Sequence, residues 1–198
     1  ASVLSNSNVP CLTRSLYIAN IDFSKINTHD LCKLASSYGH IESLKINSKK
    51  KCAFLNFITS KSALKMMTYN VYNQFIIKDK IITLAWAKSS SLSNELSHAI
   101  HKEAASRSLY IEHVPDDLNI SLLLTAFNGH GNHHHHSLGQ LQQQPNYHDL
   151  VESAVHLKKK NVAFINMISI TAAIQAKEKY NHMKINGHQL KISFAKKH

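Results

Sequence analysis

The chain contains 198 residues, of which 23 are Lys or Arg and 12 are Asp or Glu, so its formal net charge is +11. This length allows one or two domains, and a hydrophobic fraction of 43% supports packed cores and excludes a fully disordered chain. No apolar run approaches the roughly 20 residues of a membrane span, no signal peptide is evident, and the absence of an initiator Met suggests a fragment of a longer protein.

The first part of the chain predicts strands and helices in the order βαββαβ. Residues 15–21 alternate in polarity and are rich in β-forming side chains, which is typical of a strand. Asn27 or Thr28 can cap a helix that ends at Gly39 and has an apolar face at Leu31, Leu34, Ala35 and Tyr38. Strands follow at residues 41–46, 52–59 and 80–87, and the helix before the last strand has an apolar face at Ala63, Leu64, Met67 and Val71.

The second part of the chain repeats the first. Residues 14–18 recur unchanged at residues 107–111, an offset of 93, and residues 50–58 match residues 160–168, an offset of 110. The growth of the offset predicts a 17-residue insertion in the second copy, at the His- and Gln-rich segment near 129–148. We therefore predict an α+β protein with two ferredoxin-like βαββαβ domains, each a four-stranded antiparallel sheet with two helices on one face.

The predicted domains span residues 13–88 and 107–197, and a linker at residues 89–106 joins them. The linker carries a helical stripe of Leu92, Leu96, Ala99, Ile100 and Ala104. We expect this helix to pack against one or both domains and to fix their relative orientation. The alternative is a transient helix within a flexible tether.

The sheet face that the helices leave uncovered, the open face, is predicted to carry aromatic rings. Side chains alternate along a strand, so Tyr17 and Phe54 should lie side by side, and Tyr110 and Phe164 should repeat the arrangement. Exposed rings on a basic sheet can stack on unpaired bases, at roughly 1–3 kcal/mol per base. Lysines would neutralise phosphates and the two asparagines could bind base edges. The predicted RNA-binding residues are Tyr17, Lys50, Cys52, Phe54, Asn56, Lys88, Tyr110, Lys160, Val162, Phe164, Asn166 and Lys196.

These residues resemble two motifs of the RNA recognition motif (RRM) family, a hexamer on the first strand and an octamer on the third. Residues 16–21 fit the hexamer, and residues 50–57 fit the octamer with Lys51 in place of the usual Gly and Cys52 in place of the first aromatic residue. The second copy, at residues 109–114 and 160–167, departs further: the octamer has Asn161, Val162 and Met167 in place of Gly, the first aromatic and the last aromatic residue.

Trp86-Ala87-Lys88 and the linker make the chain most similar to fungal multi-RRM mRNA-binding regulators. That resemblance implies a tandem RRM protein that binds single-stranded RNA sequence-selectively. It also implies post-transcriptional control of mRNA translation or stability. The three cysteines, odd in number and without CxxC spacing, favour a reducing compartment, which is the cytoplasm and also the nucleus.

Other functional classes have little support in the sequence. Cys11, Cys32 and Cys52 lack the spacing of a disulfide framework or zinc site, and the His-rich segment lacks fixed ligand geometry, so we expect no metal and no cofactor. No catalytic motif is present, so we expect no enzyme activity and no catalytic residues. The alternative is a protein-interaction module. Either the second domain, where Glu112 should repel phosphate, or the linker helix would bind a partner or dimerise, although a monomer is favoured.

Overall fold

The computed structural model describes residues 13–128 and 149–196, and the predicted insertion at residues 129–148 lies outside them. The first half, residues 13–88, contains β1 Ser15–Ala19, α1 Thr28–Ser36, β2 Ile41–Asn47, β3 Cys52–Phe57, α2 Ser60–Tyr72, β4 Phe75–Ile77 and β5 Lys80–Ala87. A helix between the halves, α3, spans Asn94–Lys102. The second half, residues 107–196, contains β6 Ser108–Glu112, α4 Ile120–Phe127, β7 Val151–Leu157, β8 Val162–Met167, α5 Ile170–Tyr180, β9 Lys184–Ile185, β10 His188–Gln189 and β11 Lys191–Phe194.

Each half is built on an antiparallel sheet, in the orders β2-β3-β1-β5-β4 and β11-β6-β8-β7. The predicted α+β class with antiparallel sheets is therefore confirmed. The first sheet has a fifth strand where four were predicted, because β4 pairs with β5 and buries Phe75 opposite Ile82. Lys78 and Asp79 turn this hairpin with φ values of 46° and 63°, the left-handed conformation that a tight two-residue hairpin turn favours.

The second half has a hairpin at the corresponding place, but it stays separate from the main sheet. Strands β9 and β10 pair only with each other among the described residues. Asn186 and Gly187 form the turn with φ values of 49° and 80°. An Asn-Gly pair is a strong sequence signal for such a turn, and the sequence prediction missed it.

Helix α1 begins as predicted, but the buried side of α2 differs from the prediction. Asn27 caps α1 in a capping box, in which the side chains of Asn27 and Asp30 each accept a hydrogen bond from the other residue's backbone N–H. In α2 the buried residues are Ala63 and Met66, with Met67 partly buried, whereas Leu64 and Val71 are 40% and 71% exposed. Leu64 and Val71 lie about 100° and 80° around the helix from Ala63, because each residue turns it by about 100°, so they fall beside the buried stripe.

Helix α3 packs between the two halves. Its Leu96 and Ala99 are buried in a cluster with Ala105 and Ile170, and partly buried side chains pack around that cluster: Ile58, Leu92, Ile100, Ile174 and Phe194. Of these partners, Ile58 belongs to the first half and Ile170 to the second. The stripe predicted in the linker thus contacts both halves, except that Ala104 turns left-handed (φ 54°) and its neighbour Ala105 takes the buried place. None of the helices in the described ranges is long and apolar enough to cross a membrane.

Candidate nucleic-acid interface

The structure places the first pair of aromatic rings side by side on the open face, as predicted. Tyr17 of β1 lies directly opposite Phe54 of β3 in the antiparallel register. Their ring centroids are 5.3 Å apart with a tilt of 56° between the planes. Phe54 is 42% exposed although it lies in a central strand whose alternate residues are fully buried. These two side chains, the first ring pair, therefore present an apolar surface to solvent.

The second half repeats this geometry closely. Tyr110 of β6 is opposite Phe164 of β8, and the ring centroids are 5.2 Å apart with a tilt of 48°. Both rings are half-buried. These two side chains form the second ring pair, and the agreement of the two distances shows that the repeat preserves the arrangement of the rings.

Cys52 and Val162 follow the predicted strand phase, but they are not available to a ligand. The two side chains are only 1% and 8% exposed. The Cys52 thiol shares a hydrogen bond with the Tyr17 hydroxyl, and this bond, followed by burial, raises the pKa of that phenol above its ordinary value. Both residues are shorter than the aromatic side chain that the octamer usually has there, which is consistent with their burial. We therefore assign them to the support of the ring pairs.

Asn56 and Asn166 brace the sheets. In the first half the Asn56 amide oxygen accepts a hydrogen bond from the Ser15 hydroxyl, and its nitrogen donates to Ser43 Oγ at 2.8 Å. In the second half the equivalent bonds join Asn166 to Ser108 at 2.5 Å and to Ser153 at 2.9 Å. Each amide is thus held between two neighbouring strands, which leaves it one further donor and one further acceptor for a base.

The four predicted phosphate-binding lysines lie at the ends of strands. Lys50 lies in the turn before β3, and Lys160 lies in a 3₁₀ turn, Lys158–Lys160, before β8. Lys88 and Lys196 follow the last strand of each half. All four are exposed, and none forms a salt bridge with the described part of the chain. They therefore lie outside the strand segments that carry the ring pairs.

The octamer's missing glycines have a structural counterpart. Lys51 and Asn161, the residues in place of Gly, have φ values of 51° and 53°. This left-handed conformation strains most residues other than Gly, and Asn tolerates it best. The turn before the third strand therefore adopts, in both halves, a backbone conformation that Gly would accommodate without strain.

The structure adds residues that the sequence prediction missed, on the strand next to each phenylalanine. Exposed Lys45 of β2 lies opposite Phe54, whereas Val155 of β7, 54% exposed, lies opposite Phe164. Leu157, 38% exposed, continues this apolar edge opposite Val162. The sequence signal was the alternation along these strands, but the register that brings them next to the rings was not predictable.

Glu112 lies on the second sheet as predicted, but its charge is compensated. Its carboxylate is 2.9 Å from Lys191 Nζ, and the two residues are direct partners across β6 and β11. The Glu112 carboxylate, through this hydrogen bond and its charge, raises the pKa of Lys191. Repulsion of phosphate by Glu112 is therefore reduced, while Lys191 is no longer a free cation.

The described residues contain no cluster of metal-binding side chains.

Comparison with known proteins identifies related sequences. A family model described as "RNA recognition motif (a.k.a. RRM, RBD, or RNP domain)" matches residues 7–112, more than half of the chain. The RNA-binding protein MRN1 of Saccharomyces cerevisiae is 25% identical over 163 residues, which cover 82% of this chain and 24% of that protein. The RNA-binding protein NAB6 of the same yeast is 23% identical over 192 residues, 91% of this chain and 16% of that protein. The chain thus spans a quarter or less of the length of these relatives.

Among solved structures, the three N-terminal RNA-binding domains of the yeast splicing factor Prp24 match 92% of this chain and 64% of that chain. The sequence identity is 14% and the TM-score is 0.41.

Proposed function

The chain belongs to the RNA recognition motif family, and on that premise we propose that it binds single-stranded RNA through the two ring pairs. The observation that carries the proposal is the geometry of those pairs: two tilted rings, 5.3 Å apart in one half and 5.2 Å apart in the other, on uncovered sheet faces. We further propose that residues 13–88 and 107–197 are two RRM domains and that residues 89–106 are their linker.

The proposed mechanism is stacking supported by charge. Bases of a duplex are stacked on one another, so only unpaired bases can lie flat on the exposed rings, and each stacked base contributes roughly 1–3 kcal/mol. Exposed Lys45 lies opposite Phe54, and exposed Lys50 and Lys88 lie at strand ends of the same sheet, so these lysines would contact phosphates. Each phosphate contact releases counterions, so affinity should fall as salt rises. We expect the first half to bind RNA more strongly, because Lys45, which forms no salt bridge with the described residues, lies directly beside its ring pair.

The test removes one ring pair at a time and measures RNA affinity. Tyr17→Ala with Phe54→Ala, and separately Tyr110→Ala with Phe164→Ala, are titrated with a mixed-sequence single-stranded RNA at two salt concentrations. Loss of a stacking surface predicts a decrease of at least about tenfold for the first double variant and a smaller decrease for the second. Tyr72→Ala is the matched control, because Tyr72 is an aromatic residue at the end of α2 and is 82% exposed. Unchanged affinity in both double variants would rule out stacking.

A second candidate function applies to the second half alone. Val155 and Leu157 form an exposed apolar edge beside Phe164, and such an edge suits an apolar peptide. Val155→Asp should then abolish capture of a protein partner while leaving the RNA affinity of the first ring pair intact. Loss of RNA binding in the same variant, without loss of any protein partner, assigns the edge to RNA.

The broader role that we propose is post-transcriptional control of mRNA in the cytoplasm, and also in the nucleus. The names of the relatives MRN1 and NAB6 identify them as RNA-binding proteins, which supports this proposal. Crosslinking of the full-length protein to RNA in cells, followed by sequencing, tests it. The expected result is enrichment of mRNA that depends on Tyr17 and Phe54, and enrichment that survives their replacement contradicts the proposal.

A further inference from the structure

Helix α1 carries buried polar groups that contact the other half of the chain. Thr28 and Cys32, one helical turn apart, are 3% and 0% exposed. The Thr28 hydroxyl donates a hydrogen bond to the carbonyl oxygen of Asp149 at 2.8 Å, and the Cys32 thiol donates to that of Ile168 at 3.4 Å. Buried polar groups in folded proteins are paired, and here the partners of the first half's groups come from the second half.

The polar network continues through Arg107 at the start of the second half. One guanidinium nitrogen of Arg107 lies 3.0 Å from Cys32 Sγ, 2.8 Å from a Glu152 carboxylate oxygen and 2.8 Å from the Met167 carbonyl oxygen. His29 Nδ1 is 3.0 Å from the Glu152 carbonyl oxygen, so this nitrogen carries the donated hydrogen. Such directional contacts fix one orientation of the halves, because a shift by one residue would break several hydrogen bonds at once.

The contacts between the halves are reciprocal, and this decides how the two open faces are directed. Helix α1, which lies on the covered side of the first sheet, contacts β7, an edge strand of the second sheet. Helix α5, which lies on the covered side of the second sheet, contacts β2, an edge strand of the first sheet. The helices of the first half therefore lie beside the sheet of the second half, and the helices of the second half lie beside the sheet of the first. Two halves that interlock in this way have their layers in opposite order, so their open faces point in opposite directions.

From this arrangement we infer the class of RNA that the chain recognises: a strand with two short unpaired sites separated by a spacer that loops around the molecule. The inference rests on the proposed RNA binding. A continuous stretch of bases cannot lie on two faces that point apart, whereas a spacer of sufficient length lets both sites bind at once. Simultaneous binding then raises affinity on the order of 100-fold over one site, provided that the spacer can span the distance.

A selection experiment tests the inference and requires no assumption about the RNA motif. The probe is a randomised single-stranded RNA pool, long enough for two sites of roughly four nucleotides each and a loop between them. The expected result is two recurrent motifs with a minimum separation, one lost in the Tyr17→Ala/Phe54→Ala variant and the other in the Tyr110→Ala/Phe164→Ala variant. Adjoining motifs, or a single motif for the whole chain, overturn the inference. No enrichment at all overturns the proposed RNA binding instead.

Titration with the selected motifs at increasing spacer length provides the quantitative test. Affinity should equal that of one site when the spacer is absent, rise on the order of 100-fold at a threshold length, and fall slowly beyond it. Cys32→Trp should separate the halves without touching either ring pair and should abolish the threshold. If this variant does not fold, Thr28→Val removes one hydrogen bond between the halves and should raise the affinity for RNA whose spacer is below the threshold, because separated halves become more populated. Highest affinity without a spacer in the unmodified chain contradicts the inference.

Discussion

The two halves carry the same ring pair in different surroundings. Beside Phe54 lies exposed Lys45, whereas beside Phe164 lies Val155, which is 54% exposed. A ring pair next to a cation suits a base with its phosphate, and a ring pair next to an apolar edge suits a less charged ligand. Comparison of the halves therefore shows that the stacking geometry was kept while the charge next to it was not.

The two halves also differ in charge at the strand positions two residues after each tyrosine of the ring pairs. In the first sheet Ala19 pairs with Thr83, and neither residue is charged. In the second sheet Glu112 pairs with Lys191, and the two charges compensate each other. The backbone of the repeat thus fixes where side chains lie, while individual substitutions set the charge beside each ring pair. Exchanging such residues between the halves can break or sharpen this contrast.

The largest effect on the free energy of unfolding is expected from replacing Arg14 or Arg107, which are equivalent residues just before the first strand of each half. Arg14 contacts the Glu42 carboxylate and the carbonyl oxygen of Ser90 in the linker. Arg107 contacts the Glu152 carboxylate of its own half and the Cys32 thiol of the other half. The side chains in both ion pairs are largely buried. Removal of one partner from a buried pair is strongly destabilising, so Arg107→Ala should lower the free energy of unfolding by about 3 kcal/mol.

Arg14→Ala should cost less, about 2 kcal/mol, because its contact with Ser90 is exposed and the contact of Arg107 with Cys32 is part of the buried interface. Urea unfolding of both variants measures the difference. Equal losses would show that the contact between Arg107 and Cys32 adds no stability.

Repetition and strand alternation made much of the site predictable from the sequence. Once Leu16 and Ile18 are assigned to the core, the side-chain alternation of a strand turns Tyr17 to the opposite face. The same reasoning applies to Phe54, and the repeat supports it independently at Tyr110 and Phe164. Local signals limited the cap of α1 to Asn27 or Thr28, and the capping box with Asp30 in the structure selects Asn27.

Features that depend on contacts between distant segments were not predictable. The register of β2 against β3 includes an irregularity between Ile41 and Ser43, so the position of Lys45 beside Phe54 could not be counted from the sequence. The burial of Cys52 depends on the size of its neighbours. The contacts of Thr28 and Cys32 with the second half depend on how the two halves of the chain pack, which leaves no periodic pattern in the sequence.

The next largest effect is expected on the pH dependence of stability and concerns Cys32. The equivalent residue of the second half is Leu124, since each lies five residues after the N-cap of its helix, and Leu124 is less buried. Burial raises the pKa of the Cys32 thiol from 9.0 to about 12, against a smaller opposite effect of Arg107. Below about pH 9 both the folded and the unfolded chain keep the proton, so stability is unaffected. As pH rises from about 9 towards 12, only the unfolded chain releases it, and Cys32 should lower the free energy of unfolding by up to about 1.4 kcal/mol per pH unit.

Urea unfolding between about pH 8 and pH 10 measures this effect. The control is Cys32→Ala, which removes the thiol and should show a shallower loss of stability with pH, whatever its stability at neutral pH. Parallel pH profiles for the two proteins would contradict burial of the thiol between the halves.

A smaller effect is expected from exchanging the residues next to the two phenylalanines. The variant with Lys45→Val and Val155→Lys keeps the net charge of +11 and transfers one cation from the first open face to the second. A phosphate contact on single-stranded RNA changes the salt slope by about 0.7. The RNA affinity of the first half should fall about fivefold and that of the second should rise by a similar factor.

Each half is measured separately by performing the exchange in chains that lack the other ring pair. Titration against salt then gives the slope for one open face at a time. If both slopes stay unchanged, neither Lys45 nor the introduced lysine contacts phosphate, and the charge difference between the halves does not explain their preferences.

The smallest expected effect concerns the compensated pair of the second half. In the unmodified chain the Glu112 carboxylate contacts Lys191 and raises the pKa of its ammonium group. Glu112→Gln removes this carboxylate and with it both effects. Lys191 remains protonated at neutral pH, so the variant gains a free cation on the open face, and RNA affinity of the second half should rise about twofold, as expected for an exposed pair. Glu178→Gln is the matched control, since it makes the same charge change at an exposed position on α5, away from the open face. Because both variants change the net charge equally, a rise confined to Glu112→Gln shows that the location of the charge matters, whereas equal rises would mean that the second half responds only to total charge.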